Sequence, residues 1–152
     1  MSNYRRKRVP GGTYFFTVNL ADRRKRWLVE HIDKLREAYA DAQRARPFET
    51  LAIVILPDHL HCIWRLPAYD ADFSNRWAHI KGGFSRRLEH LEYISPKRQR
   101  RGERGIWQRR FWEHLICDDY DLRRHIEYIH SNPVKHGHVD QVSDWPYSSW
   151  RA

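Results

Sequence analysis

Two histidines one residue apart, His59-Leu60-His61, lie in a strand-like run, and a later helix-like segment carries Tyr128 and Asn132 four apart. Neutral imidazole is a good ligand for divalent metals, an amide oxygen can join it, and a phenol becomes a nucleophile once its proton is removed. Together these groups are what a metal-assisted attack by tyrosine on a phosphodiester requires. Residues two apart in a strand share a face, so His59 and His61 project side by side while Leu60, Cys62 and Trp64 take the other. The pair taken alone also fits two partly exposed histidines on a sheet surface. Asp58 is open to two readings, an outer partner that orients an imidazole or an ordinary turn residue.

Residues four apart on a helix are neighbours, which brings Tyr128 and Asn132 together with His125 close by. Leu122, Ile126 and Ile129 form a separate apolar stripe. A helix docked through that stripe holds the tyrosine at the edge of the interface, within reach of a substrate. The alternatives are a flank residue for Tyr128 and a helix-end residue for Asn132, because Pro133 disfavours helix at the position before it. An Asn at a helix end can still present its oxygen to a metal.

The elements that must position these groups follow from patterning. Thr13–Leu20 is aromatic and β-branched after Gly11-Gly12 and reads as a strand. Leu28–Arg44 is an amphipathic helix closed by Pro47, with Leu28, Ile32, Leu35 and Tyr39 on one side. Leu51–Leu56 is a continuous apolar run stopped by Pro57, the mark of a buried central strand, and His59–Leu66 is the next strand. Phe73–Leu91 reads as a helix despite Gly82-Gly83, which cost about 2 kcal/mol relative to alanine in a helix interior. Lys97–Arg104 is cation-rich without periodicity and is expected to be a loop. Ile106–Cys117 is strand-like. Asp118–His130 is a helix opened by Asp118-Asp119 at the positive end of its dipole and stopped at Asn132-Pro133. The tail Val139–Trp150 is short and irregular. This order of elements predicts an α+β domain, an antiparallel sheet covered by helices, with residues 1–152 forming a single domain.

Composition narrows the substrate. The 28 Lys and Arg against 19 acids give a net charge of +9, an excess that favours a polyanion such as nucleic acid or an anionic membrane surface. Insertion into a membrane is not expected, since no apolar run approaches the roughly 18–20 residues a span needs. The basic N-terminus is not followed by the apolar stretch of a secretory signal. Cys62 and Cys117 lack a C-x-x-C spacing, so a reducing, cytoplasmic setting is expected rather than a disulfide scaffold. Trp107, Phe111 and Trp112 offer rings for base stacking or for the core. The candidate DNA contacts are Arg5, Arg6, Lys97, Arg98, Arg100, Arg101, Trp107, Arg109, Arg110 and Lys135. His79, His90, His114, His136 and His138 receive no role.

Several segments, taken in order, carry a resemblance. They are 12–19 (GTYFFTVN), 56–61 (LPDHLH), 106–114 (IWQRRFWEH), 128–137 (YIHSNPVKHG) and 144–149 (DWPYSS). The chain resembles the REP-associated tyrosine transposases, a bacterial branch of the single-tyrosine HUH transposases. The resemblance implies a ferredoxin-like domain in which His59 and His61 bind a divalent metal, Asn132 is the third ligand and Tyr128 is the nucleophile. It also implies a single-stranded DNA hairpin as substrate and a self-contained monomer. Some members carry a further C-terminal tail, whereas this sequence stops at Ala152. Mg²⁺ or Mn²⁺ is expected over structural zinc, because the site offers no thiolate and must keep positions open for phosphate oxygens. The expected activity is single-strand DNA cleavage and strand transfer through a 5′-phosphotyrosine. A non-catalytic hairpin-binding protein and a metal-dependent ribonuclease are the competing readings.

Overall fold

The computed structural model describes residues 8–88, 94–101 and 104–150. Its elements in chain order are β1 (Thr13–Asn19), α1 (Trp27–Glu30), α2 (Ile32–Ala45), β2 (Glu49–Ile55), β3 (His59–Arg65), α3 (Phe73–Arg87), α4 (Pro96–Arg101), β4 (Trp112–Leu115) and α5 (Asp119–Lys135). The strands form one antiparallel sheet in the order β2-β3-β1-β4. This is the expected α+β architecture with the ferredoxin-like strand order.

Alternation along the strands builds two cores. Tyr14, Phe16, Val18, Leu60, Cys62 and Trp64 point to the face covered by α2 and α3, where they meet Leu35, Ala38, Phe73, Trp77 and Ile80. Phe15, Val54 and Ile63 point to the opposite face, where Ile129, Leu122 and Ile126 of α5 pack on them. The apolar stripe read from the sequence is therefore the docking surface of α5. Helices α2 and α3 touch closely: a Cβ on Gly83 would lie 3.2 Å from the Ala38 Cβ. The helix tolerates that glycine because the approach requires it.

Several elements differ from expectation. The helix predicted over Leu28–Arg44 is broken at His31, because the Leu28 N–H is tied to the Pro57 carbonyl and fixes a separate first turn. Helix α3 ends at Arg87, short of Leu91, which lies outside the described residues. The loop expected at Lys97–Arg104 contains a helix over Pro96–Arg101; Ser95-Pro96 is a start signal, and Arg, Lys and Gln are good helix formers. The strand expected over Ile106–Cys117 shrinks to Trp112–Leu115, preceded by an isolated bridge between Leu20 and Trp107.

Helix α5 does not stop at Asn132-Pro133 but continues to Lys135 with Pro133 inside it. Burial of Ile129, Asn132 and Pro133 holds these last turns on the sheet, and tertiary packing overrides the local preference. The end comes at Gly137 (φ +73°), where the Gly137 N–H meets the Val134 carbonyl and the His138 N–H meets the Pro133 carbonyl. That double closure satisfies the final carbonyls. The tail is not free either: Ile55 donates to the Tyr147 carbonyl and Ser149 to the Ile53 carbonyl, covering the outer edge of β2.

Candidate active site

β3 places His59 and His61 on the α5 face of the sheet, 7% and 4% exposed, with ring centroids 4.9 Å apart. The Nδ1 atom of each ring is occupied. His59 Nδ1 lies 2.8 Å from Asp58 Oδ1; a carboxylate only accepts, so Nδ1 carries the proton and Nε2 keeps a lone pair. His61 Nδ1 lies 2.8 Å from Thr17 Oγ1, its cross-strand partner on β1. Asp58 is held in turn by Arg23, and although burial raises its carboxyl, the bonds from Arg23 and His59 outweigh that and keep it ionised. Asp58 is therefore an orienting partner and not only a turn residue. Burial also pushes both imidazoles down, His61 to about 3 with further help from neighbouring His59, so both are neutral and ligand-competent near pH 7.

α5 brings its own residues over the pair. Tyr128 sits 38% exposed with its ring centroid 5.2 Å from that of His61, and Asn132 one turn later is fully buried. Among the described residues, four buried side-chain polar atoms have no hydrogen-bond partner: Trp77 Nε1 in the other core, and His61 Nε2, Asn132 Oδ1 and Asn132 Nδ2 here. An unsatisfied buried polar group costs about 1–3 kcal/mol, and three on β3 and the helix packed against it need an explanation. A divalent metal fits, because it would take the imidazole nitrogen and the amide oxygen, and the only thiol nearby in sequence, Cys62, faces the other core.

The surroundings of Tyr128 form a cleft of about 590 Å³ lined by Phe15, Thr17, Trp112, Arg124, His125 and Lys135 among others. The Lys135 ammonium lies 5.6 Å from the Tyr128 ring centroid. His136 ends α5 with its ring 5.9 Å from that of His59. Next to Tyr128, His114, Asp121 and His125 bring donor atoms within 4.8 Å of one another, a cluster able in principle to hold a metal. Sequence reasoning gave His114 and His136 no role. The spacing of His136, four residues beyond Asn132, was the available signal for it.

The predicted DNA contacts are dispersed. Arg5 and Arg6 lie outside the described residues, as does the side chain of Arg98, while Lys97, Arg100 and Arg101 are exposed on α4. Trp107 is corrected to a core residue: it is 6% exposed, stacked edge-on to Phe84, with its ring N–H donating to the Lys81 carbonyl. The exposed ring is Trp112, 58% accessible at the mouth of the Tyr128 cleft. Arg109 is exposed and, with Lys81, Arg86 and Arg104, lines a second pocket that has no acid among its described lining residues; Arg110 is also exposed.

The fold and this geometry can be set against known proteins. Residues 11–132 match the family model described as transposase IS200 like. A REP-associated tyrosine transposase of Escherichia coli K12 is 49% identical over 99% of this chain and 83% of its own length. The chain belongs to this family. A Haemophilus influenzae protein provisionally given the same name is 52% identical over 99% of this chain and 86% of its own length. A solved structure of a REP-associated tyrosine transposase bound to a REP hairpin superposes with a TM-score of 0.84 at 49% identity, covering 99% of this chain and 83% of that one. These relatives make the chain a transposase enzyme. A Deinococcus radiodurans structure at 18% identity, TM-score 0.53, shares the fold alone. No helix among the described residues is long and apolar enough to cross a membrane.

Proposed function

We propose that this transposase is a metal-dependent single-strand DNA endonuclease and strand-transferase that acts on REP-type hairpins through a 5′-phosphotyrosine. The observation that carries the reading is that His61 Nε2 and Asn132 Oδ1 are both buried and unpartnered, on a strand and a helix that also set the half-exposed Tyr128 ring against His61. His59, His61 and Asn132 would hold the ion, Mg²⁺ or Mn²⁺, which when bound polarises the scissile phosphate and offsets its charge. Asp58 and Thr17 engage the Nδ1 atoms of the two imidazoles, which leaves both Nε2 atoms for the ion.

Tyr128 supplies the attacking oxygen. Its Oη forms a bond to phosphorus as the bond from phosphorus to the 3′-oxygen breaks, leaving a phosphotyrosine and a free 3′-hydroxyl. One phosphodiester replaces another, so the step reverses and rejoins strands without a high-energy cofactor. All four groups come from β3 and α5 of one chain, which supports a self-contained monomer, with residues 1–152 acting as one catalytic domain.

The deciding experiment is incubation with a 5′-extended REP hairpin and Mn²⁺, followed by denaturing electrophoresis. A protein–DNA adduct is expected. Binding without adduct or cleavage would leave a hairpin-binding protein, and cleavage of RNA without adduct would leave a ribonuclease using water.

A further inference from the structure

Attack by Tyr128 requires a group that accepts the phenol proton, and the cluster beside it is built in a way that decides between a metal site and a base. His125 Nδ1 lies 2.8 Å from the Asp121 backbone carbonyl and 3.1 Å from Asp121 Oδ1. A carbonyl oxygen only accepts, so Nδ1 carries the proton and the lone pair is on Nε2. That leaves Nδ1 unable to ligate a metal. His114 is spent in the same manner, its Nε2 held 2.8 Å from Asp121 Oδ2. The carboxylate has no site left for a cation, since Oδ2 also accepts the Cys117 N–H at 3.0 Å and Oδ1 faces the Arg124 guanidinium at 3.4 Å. The cluster is a hydrogen-bonded relay and not an empty metal cage.

His125 belongs to the same cleft as Tyr128. Both rings pack on Phe15, at 4.8 Å for His125 and 6.0 Å for Tyr128, and they stand three residues apart on one helix. His114 stacks parallel to His125, 4.7 Å away at 20°, and stops the ring from swinging off its tautomer-fixing bonds. We infer that His125 is the general base for Tyr128, with Asp121 orienting it. This rests on the reading of Tyr128 as nucleophile.

In the step, the phenol proton passes through a bridging water to His125 Nε2 while Oη bonds to phosphorus, and the departing 3′-oxygen takes up a proton that the imidazolium returns through solvent. Asp121 stays ionised and holds the imidazolium that forms, as an acid does behind the histidine of a hydrolase triad. His125 touches Asp121 on α5 and His114 on β4, and the other charged or titratable groups that line the cleft among the described residues are Arg124, Glu127, Tyr128 and Lys135 on α5, with Phe15 and Thr17 from β1.

His125→Asn tests this, because the asparagine amide nitrogen can keep the bond to the Asp121 carbonyl while Nε2 is lost. Adduct formation should slow by about 10²–10⁴-fold, with hairpin Kd and Mn²⁺ affinity within about twofold of wild type. The defect should shrink as pH rises, because hydroxide in solvent can then replace the missing base, and added imidazole should restore part of the rate to His125→Gly. A normal rate, or an unchanged pH profile with no imidazole rescue, overturns the base assignment. Loss of Mn²⁺ affinity would overturn it too, by making His125 part of a metal site. Tyr128→Phe run in parallel separates the two levels: if it still cuts, the nucleophile itself is wrong.

Discussion

The Tyr128 ring stands edge-on to the His61 imidazole, centroids 5.2 Å apart at 69°. Nothing local in sequence brings them together. The pairing of His61 with Thr17 fixes the imidazole on the sheet, and Ile129, fully buried beside Phe15 and Val54, fixes the rotation of α5 above it. Tyr128 is then the residue at the rim while Asn132 is fully buried. One helix face supplies both a reachable oxygen and a buried amide.

Tyr128→Phe should abolish the covalent adduct and cleavage while leaving hairpin affinity within about twofold, because only the hydroxyl is removed from a ring whose packing on Phe15 persists. Denaturing gels and a binding titration with the same oligonucleotide read both quantities. Cutting at a normal rate by the variant would put water in place of tyrosine.

His59→Ala and His61→Ala should each weaken Mn²⁺ binding and cleavage together, more than Asn132→Ala, since water can take the place of an amide oxygen. Thr17→Val is the sharper test. It leaves every proposed ligand in place but removes the partner of His61 Nδ1, and should reduce metal affinity by about 10–100-fold. Calorimetric titration of Mn²⁺ decides it; unchanged affinity in the double histidine variant would remove the site.

Much of this was legible in the residues. Alternation put His59 and His61 on one face and Leu60, Cys62 and Trp64 on the other, as found. The stripe of Leu122, Ile126 and Ile129 gave the docking face of α5. What escaped was whatever depended on distant packing. Pro133 reads locally as a stop, yet its helix continues because the sheet buries it. Trp107 reads as a stacking ring beside cations, yet it closes the core against Phe84. The Asp121 network joins β4 to α5 through His114, a contact that no spacing announces.

DNA affinity should fall steeply with salt, by about 0.7–0.9 in log–log slope for each phosphate contact. Two cation groups compete for that role: Lys97, Arg98, Arg100 and Arg101 of α4, and the pocket where Arg86 and Arg109 stand with Lys81 and Arg104. Lys81 and Arg104 already donate to backbone carbonyls, so Arg86→Ala with Arg109→Ala is the cleaner change. Alanine at the four α4 positions should flatten the slope for hairpin and unrelated single strands alike. The set whose removal leaves the slope unchanged is only a solvated surface.

Asp121 should also set the acid limit of the fold. Burial raises its carboxyl, but the Cys117 N–H and His114 outweigh that and hold it far below the usual value of 3.8. A carboxyl with a depressed folded pKa stabilises fully above the unfolded value. As pH falls through about 4 the unfolded chain takes up a proton that the native state refuses, and stability drops by up to about 1.4 kcal/mol per pH unit. Asp121→Asn removes this term, so its unfolding free energy should start about 1–3 kcal/mol lower at neutral pH and then decline less steeply between about pH 4 and pH 2. Urea denaturation across that range, with metal removed by chelation, measures both slopes. Parallel curves for the two proteins would show that the carboxylate carries no net stabilisation, and would weaken the case that it holds His125 in a fixed tautomer.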